Sequence, residues 1–215
     1  MDVNEELDYK EHWNKVYSKS EISTLGWHEE SPKPSFDMIQ KCDLKKDAFI
    51  LDVGSGATTL VEKLLRECYN NVVATDISKV ALTIAQKNLK KEEAKLVKWI
   101  VDDITDPKYL TEIGNIDLWH DRTVLHFLTE EKQREGYLKT LNQLIKIGGY
   151  VIIAVFSLEG AKKCSGLDVV NYDHKMIAQF LGSEFELIEH FPYLYIQPSG
   201  GERPYTYTLF RRKLS

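Results

Sequence analysis

The chain has 215 residues, of which 43% are hydrophobic and 28% charged, and its net charge is −5. This length and composition predict one soluble globular domain with room for a core and a ligand pocket. The basic residues are scattered rather than gathered into one stripe, so double-stranded nucleic acid is not an expected partner. No apolar run is long enough to cross a bilayer and no secretory signal is visible, so no membrane contact is expected.

The cysteines and histidines are too dispersed to predict a disulfide framework or a metal site. The three cysteines are Cys42, Cys68 and Cys164. Four histidines lie far from one another: His12, His28, His174 and His190. Free thiols of this kind are typical of a reducing compartment, so we expect a cytoplasmic location.

The first 45 residues are rich in aromatic side chains and predict a helical cover. Trp13 and Tyr17 fall at helical spacing within a helix over 8–19. Prolines then interrupt the chain at 31–34, and a second helix follows through Phe36 and Ile39. Residues 1–45 are therefore interpreted as a cover on the core, or as a lid over a ligand, and residues 46–215 as the core of one domain.

From residue 49 onward, strands alternate with helices. Apolar strand-like runs cover 49–53, 71–77, 96–104, 116–120 and 150–156. Amphipathic helical segments cover 58–68, 78–94 and 131–147. Two further strand-like runs, 185–197 and 204–213, are joined by a Pro-Ser-Gly-Gly turn. This order predicts an α/β fold with a Rossmann-like, doubly wound sheet of about seven strands, whose last strand is antiparallel.

Acidic residues stand at the carboxyl ends of the first four predicted strands, where open parallel sheets bind ligands. They are Asp52 in the DVGSG turn, Asp76, the pair Asp102-Asp103, and Asp121. A dinucleotide pyrophosphate would prefer backbone amides and a helix N-terminus without a carboxylate just before the turn. The dinucleotide pattern also requires a third glycine where Thr59 stands. A cationic ligand without phosphate fits this acidic rim better.

These motifs, DVGSG, ATDIS, VDDI and the terminal hairpin, resemble a class I methyltransferase dependent on S-adenosylmethionine (SAM). The resemblance implies that Asp52, Gly54 and Gly56 approach the methionine and ribose of the cofactor. It implies that Asp76 holds the ribose hydroxyls. For the adenine, it implies that Asp103 accepts from the amino group, with Asp102 as the alternative, and that the ring lies between Ile77 and Ile104.

Three assignments are left open. The family often has a glycine where Thr58 lies, and either Thr58 or Thr59 is instead a candidate cap for the following helix. Trp27, in the segment LGWHEES, is interpreted as a pocket wall near the cofactor or as lid core. Glu29 and Glu30 are candidates to meet the methionine amino group, or are solvated acids.

Candidate acceptor-side residues follow the fourth strand in the segment WHDRTVLHFL. His120, Asp121, Arg122 and His126 are the catalytic candidates. Asp121 is considered for orienting or deprotonating the acceptor, and His126 for a base. For Asp121 and Arg122 the alternative is a mutual ion pair or a helix cap, and for His126 a packed helix residue.

The segment resembles two subgroups with different acceptors: thiopurine methyltransferases, and lysine methyltransferases acting on citrate synthase and elongation factors. The leading hypothesis is methyl transfer to a thiol or amine of a small molecule by in-line displacement, and the alternative is a protein lysine. An NAD-dependent oxidoreductase, and a catalytically silent partner subunit with this fold, are more distant alternatives.

Overall fold

The structure is a computed structural model that describes residues 8–57 and 59–214. The helices are α1 (Tyr9–Lys19), α2 (Lys33–Lys41), α3 (Leu60–Arg66), α4 (Lys79–Asn88), α5 (Lys91–Ala94), α6 (Glu131–Leu144) and α7 (His174–Leu181). The strands are β1 (Phe49–Val53), β2 (Asn71–Asp76), β3 (Val97–Val101), β4 (Ile116–Arg122), β5 (Ile145–Phe156), β6 (Lys163–Cys164), β7 (Leu167–Asp168), β8 (Phe185–Ile196) and β9 (Glu202–Arg212).

Seven strands form the central sheet in the order β3-β2-β1-β4-β5-β9-β8. The pairs among β1 to β5 are parallel, and β9 is antiparallel to both of its neighbours. The predicted α/β class, the strand number and the single antiparallel strand are therefore confirmed. Because the strand order reverses beside β1, the carboxyl ends of β1 and β4 border a crevice.

Side chains alternate between the two faces of each central strand, and each face buries its own apolar cluster. In β4, Leu118 belongs to the cluster under α2 and α3, whereas Trp119 belongs to the cluster under α6. In β1, Ile50 and Leu51 divide in the same way. The alternation therefore decides which polar side chains at the strand ends face the same space.

The sequence and the structure differ at several boundaries. The segment predicted as one helix over 78–94 divides into α4 and α5, since Leu89 and Lys90 are extended. The fourth strand does not end at His120 but continues through Arg122. Residues 163–168 form a two-stranded hairpin that the sequence did not indicate.

Helix α1 begins after Asp8, whose carboxylate accepts a hydrogen bond from the amide of Glu11. The helix lies against α4, where the side chain of Asn14 accepts from the hydroxyl of Ser78 at 2.9 Å. In the described part of the chain, no helix is long and apolar enough to cross a membrane.

Candidate active site

A cleft of about 980 Å³, including the space at its mouth, opens at the carboxyl ends of β1 to β4. Its acidic end is formed by side chains that follow the strands: Asp76, Ile77, Asp102, Asp103 and Ile104. Its aromatic end is formed by Tyr9, Trp13, Tyr17, Trp27 and Phe127. The cleft is therefore charged where the strands end and apolar beneath α1.

The turn after β1 needs both of its glycines. Gly54 and Gly56 have φ values of 59° and 56°, in the left-handed region that favours glycine. A Cβ atom would lie 2.1 Å from the side chain of Val124 at Gly54, and 2.5 Å from the hydroxyl of Tyr17 at Gly56. Because the glycines have no side chains, Val124 and Tyr17 can pack closely against the backbone of this turn.

Asp76 is buried at the end of β2 and faces the cleft. Its two carboxylate oxygens accept from the amides of Gly56 at 2.9 Å and Ser78 at 2.8 Å. Burial raises the pKa of Asp76 to about 6, although the hydrogen bonds from the amides of Ser78 and Gly56 lower it. The carboxylate is therefore fixed in orientation and titrates near neutrality.

The two neighbouring acids after β3 have different environments. Asp102 is buried, and its carboxylate accepts from the amides of Lys108, Tyr109 and Leu110, which hold the following loop. Asp103 is exposed at the cleft and accepts from the amide and hydroxyl of Thr105. Of the two, Asp103 has the more accessible carboxylate. Ile77 and Ile104 also line the cleft.

Asp52 faces a smaller cavity next to the main cleft. Its Oδ1 lies 2.7 Å from Nδ1 of His120, and Nε2 of that imidazole lies 2.9 Å from the hydroxyl of Ser35. Asp52 and His120 are register partners in adjacent strands, which brings their side chains together on one face of the sheet. His120 therefore contacts the acid of the glycine turn, and it does not line the main cleft.

Arg122 lines both cavities and is buried. Its guanidinium lies 3.0 Å from the carboxylate of Glu29 and donates to the carbonyl of Trp27 at 3.0 Å. It also stacks over the rings of Tyr195 and Tyr205, at 5.2 and 5.1 Å. Burial raises the pKa of Glu29, whereas Arg122 lowers it. The pair thus joins β4 to the segment that carries Trp27.

Asp121, a candidate to contact the acceptor, does not line either cavity in this structure. Because β4 continues through Arg122, the side chain of Asp121 points to the opposite face from His120. It is fully buried and accepts from the amides of Val124 and Leu125 and from the hydroxyl of Tyr137. Asp121 therefore secures the turn after β4, and it does not pair with Arg122.

His126, the candidate base, is placed in the core and does not line the cleft. Its imidazole is fully buried and packs 4.4 Å from the ring of Phe127 and 4.5 Å from that of Phe156. Burial, with a smaller contribution from Arg122, lowers the pKa of His126 to about 3. The imidazole is therefore neutral near pH 7, and it does not line the cleft.

Several residues of the cleft had no clear signal in the sequence. Thr123 lines the cleft with φ at 77°, which is a strained conformation for a β-branched residue. Phe127, Leu128 and Gln133 also line it. The sequence predicted a cover or a lid, with Trp27 as a candidate pocket wall, and in the structure Tyr9, Trp13 and Tyr17 line the cleft beside Trp27. Thr59 does not cap α3 but donates to the carbonyl of Glu29 at 3.2 Å, and Thr58 lies outside the described residues.

The residues present fit an amino-acid group beside an adenosine. Among the described residues, Oδ2 of Asp52 and the hydroxyl of Ser55 are buried without a hydrogen-bond partner, and both face the small cavity. An ammonium would satisfy the carboxylate oxygen, and a carboxylate would satisfy the hydroxyl. The acidic end of the main cleft offers a fixed carboxylate and apolar side chains suited to a ribose and an adenine. In the described chain, no three His, Cys, Asp or Glu side chains converge as metal ligands.

Comparison with known proteins agrees with this geometry. The family model of a methyltransferase domain matches residues 50–149, which include the glycine turn and the ends of β1 to β4. The chain is a class I SAM-dependent methyltransferase. Its cofactor is SAM, which becomes S-adenosylhomocysteine (SAH) after methyl transfer.

The relatives of this methyltransferase are distant. The chain is 22% identical to human EEF1A lysine methyltransferase 2 over 199 residues, which cover 86% of the chain and 78% of the relative. A SAM-dependent methyltransferase from Anabaena variabilis superposes with a TM-score of 0.75 at 17% identity, covering 97% of this chain and 96% of that one. The N-methyltransferase NodS from Bradyrhizobium japonicum, in complex with SAH, gives 0.66 at 15% identity, with coverages of 94% and 98%. The solved structures share the fold of this chain.

Proposed function

We propose that this methyltransferase transfers the methyl group to an amine nitrogen of a small molecule. The observation that carries the proposal is the aromatic end of the cleft. The ring of Trp13 lies 5.5 Å from that of Trp27 and 5.0 Å from that of Phe127. Aromatic faces attract the positive charge that develops on an amine nitrogen as it takes the methyl group, by about 0.5–2 kcal/mol for each favourable contact.

The cofactor supplies an electrophilic methyl group on a sulfonium, and the protein positions the two reactants in line. We propose that Asp76 accepts from the ribose hydroxyls and Asp103 from the adenine amino group, with Ile77 and Ile104 on either side of the ring. Asp52, with Gly54 and Gly56, would hold the amino-acid part. These roles place the acceptor at the opposite, aromatic end.

The aromatic end offers no free carboxylate or imidazole as a general base among the described residues that line it. Glu29 is paired with Arg122, and His126 is buried behind Phe127. An amine that enters in its neutral form needs no base before it attacks the methyl group. Catalysis by positioning and by exclusion of water is consistent with this arrangement.

The size of the acceptor is limited by the elements around the aromatic end. Trp13 of α1, Trp27, and Cys164 of the β6–β7 hairpin all line the cleft. Side chains from three separate segments leave less room for the surface of a folded protein than for a small molecule. We also propose that residues 1–215 form a single domain with 1–45 as its cover, and that the protein is cytoplasmic.

A protein lysine is the second candidate. It is favoured by the similarity to EEF1A lysine methyltransferase 2, which extends over 86% of this chain. A lysine side chain also carries an amine, so the aromatic end would serve both acceptors. A small-molecule thiol remains the third candidate, because the same in-line geometry suits sulfur.

One assay separates the three acceptors. The purified protein is incubated with methyl-labelled SAM and an extract divided by ultrafiltration into small molecules and proteins. Before incubation, portions of the small-molecule fraction are acetylated to block amines, or treated with N-ethylmaleimide to block thiols, and both reagents are quenched. We expect label in the small-molecule fraction that acetylation abolishes and N-ethylmaleimide leaves unchanged.

An Asp76→Ala variant provides the control for labelling that does not depend on cofactor binding. Label that is confined to protein bands would instead support the lysine candidate. Label lost after N-ethylmaleimide would identify a thiol. Either result would overturn the small-molecule amine proposal without affecting the assignment as a methyltransferase.

A further inference from the structure

The segment from Gly26 to Glu29, which we call the strap, is held by an unusual set of hydrogen bonds. Each of its four consecutive backbone carbonyls accepts from a side chain elsewhere in the protein. The donors, in order, are Gln197 at 2.9 Å, Arg122 at 3.0 Å, Tyr195, and Thr59 at 3.2 Å. These side chains come from β4, from the turn before α3, and from the end of the terminal hairpin.

The fit between the strap and the hairpin is close. A Cβ atom at Gly26 would lie 2.4 Å from the side-chain nitrogen Nε2 of Gln197, so the glycine allows this side chain to reach the strap. Gln197 is itself held in the hairpin turn, since its backbone amide donates to the carbonyl of Gly201 at 2.8 Å. The tip of the hairpin and the strap therefore form one packed unit.

A buried ion pair adds a second constraint. Arg122 and Glu29 have side chains that are 7% and 9% exposed, and their charged groups are 3.0 Å apart. Separating them would leave both charges in a region of low dielectric, which is strongly unfavourable. The strap is thus held by hydrogen bonds to its backbone carbonyls and by the ion pair of Glu29, its last residue, with Arg122.

Trp27 is the residue that the strap presents to the cleft. Its indole donates to the hydroxyl of Tyr17 at 3.2 Å, and its ring lies edge-on to that of Trp13. Trp13 and Tyr17 belong to α1, whose polar links to the rest of the protein include Asn14 to Ser78 and Tyr9 to Phe127. The rigid strap and the helix above it thus contribute different sides of the same pocket.

We propose that Trp27 is a fixed wall that sets the size of the acceptor, and that Gln197 and Tyr195 at the tip of the terminal hairpin are positioning residues for it. The specificity part of this inference rests on the proposed function, because it assumes that the acceptor occupies the aromatic end. The rigidity part rests on the strap alone. The wall is formed before cofactor or acceptor binds.

Fluorine NMR of protein labelled with 5-fluorotryptophan tests rigidity without any acceptor. Trp27→Phe assigns the Trp27 signal, and retained SAH binding by this variant shows that it is folded. We expect one narrow Trp27 signal without SAH that changes little when SAH is added. Gln197→Ala should broaden or split it, whereas Gln143→Ala, at an exposed glutamine on α6, should not. A broad or multiple Trp27 signal in the unliganded wild-type protein would overturn the fixed wall.

Specificity is tested with primary amines of increasing size, from methylamine to benzylamine. Trp27→Ala should shift the ratio of kcat/KM values toward the larger amines by about tenfold or more. Gln197→Ala should raise KM for the acceptor and leave kcat and SAH affinity nearly unchanged. An unchanged ranking in Trp27→Ala would overturn Trp27 as the size-setting wall. If no amine is methylated by the wild-type protein, the proposed function fails, while the fluorine spectra still decide whether the strap is rigid.

Discussion

The imidazole of His120 donates from Nδ1 to the buried carboxylate of Asp52 across 2.7 Å. A carboxylate only accepts, so Nδ1 carries the proton of this hydrogen bond, and Nε2 lies 2.9 Å from the hydroxyl of Ser35. These hydrogen bonds use Oδ1 of Asp52 and leave its Oδ2 without a partner, facing the small cavity. His120, predicted to act on the acceptor, instead orients the acid of the glycine turn.

Replacing His120 should therefore reduce both stability and cofactor affinity. His120→Leu leaves the Asp52 carboxylate buried without its partner, which we expect to lower the free energy of unfolding by about 3 kcal/mol. Ser35→Ala removes only the outer hydrogen bond and should cost about 1 kcal/mol. Urea titrations measure both losses, and SAH titration calorimetry measures affinity. Equal stability losses in the two variants would contradict this order of importance.

The affinity for SAH should depend on pH through Asp76. Its pKa is raised to about 6, chiefly by burial, and only the ionised carboxylate can accept from two ribose hydroxyls. SAH affinity should therefore fall as the pH drops through about 6. Asp76→Ala should weaken SAH binding by roughly 2–4 kcal/mol at pH 7.5, because it leaves buried polar groups without their hydrogen-bond partner.

Calorimetry with SAH at several pH values between 5 and 8 checks this expectation. Asp76→Asn keeps the size of the side chain and should bind weakly with little pH dependence in this range. Wild-type affinity that stays constant from pH 8 to pH 5 would remove Asp76 from the ribose site.

The lining of the acidic end of the cleft was predictable because its signals are local. The glycine turn after β1 and the acids at the ends of β2 and β3 follow apolar runs that could form only buried strands. The acceptor end was not predictable in the same way. Its candidates depended on where β4 ends, and a strand longer by two residues places Asp121 and Arg122 on opposite faces.

Long-range packing decided the other positions. The burial of His126 depends on Phe156 of β5, and the charge of Arg122 is matched by Glu29 from the N-terminal segment. No spacing within the segment after β4 carries this information. The strap likewise depends on the end of the terminal hairpin, so its rigidity could not be read from LGWHEES alone.

Asp121 should affect stability more than turnover. Asp121→Ala would leave the amides of Val124 and Leu125 without their acceptor, and we expect a loss of roughly 2–4 kcal/mol in the free energy of unfolding. Tyr137→Phe removes only one hydrogen bond to the carboxylate and should cost about 1 kcal/mol. Urea titration gives both values.

Turnover separates this role from a catalytic one. In Tyr137→Phe, kcat for each folded molecule should match that of the wild-type protein, because the carboxylate keeps its backbone partners. Asp121→Asn should lose stability together with activity. A variant at Asp121 with full stability and SAH affinity but greatly reduced kcat would restore the catalytic assignment.

His126 should make the protein less stable in mild acid. Its pKa is lowered to about 3 in the folded state, mainly by burial, whereas in the unfolded chain it has its ordinary value of 6.5. Between these values the unfolded state binds one proton more, so stability falls as the pH decreases below 6.5. From pH 6.5 to pH 5 this group accounts for about 2 kcal/mol. Asp76 and Asp121 act in the opposite direction, because acids with raised pKa values favour the folded state as the pH falls toward 4.

The contribution of His126 is isolated by comparison with His126→Leu, since the other titrating groups are common to both proteins. Urea titrations at pH 5.0, 6.5 and 7.5 should show a smaller loss of stability toward pH 5.0 in the variant than in the wild-type protein. NMR of the imidazole, assigned with the same variant, should show a neutral ring from pH 5 to pH 8. Parallel stability profiles, or a ring that gains a proton near pH 6, would mean that His126 is accessible to solvent and would reopen its assignment as a base.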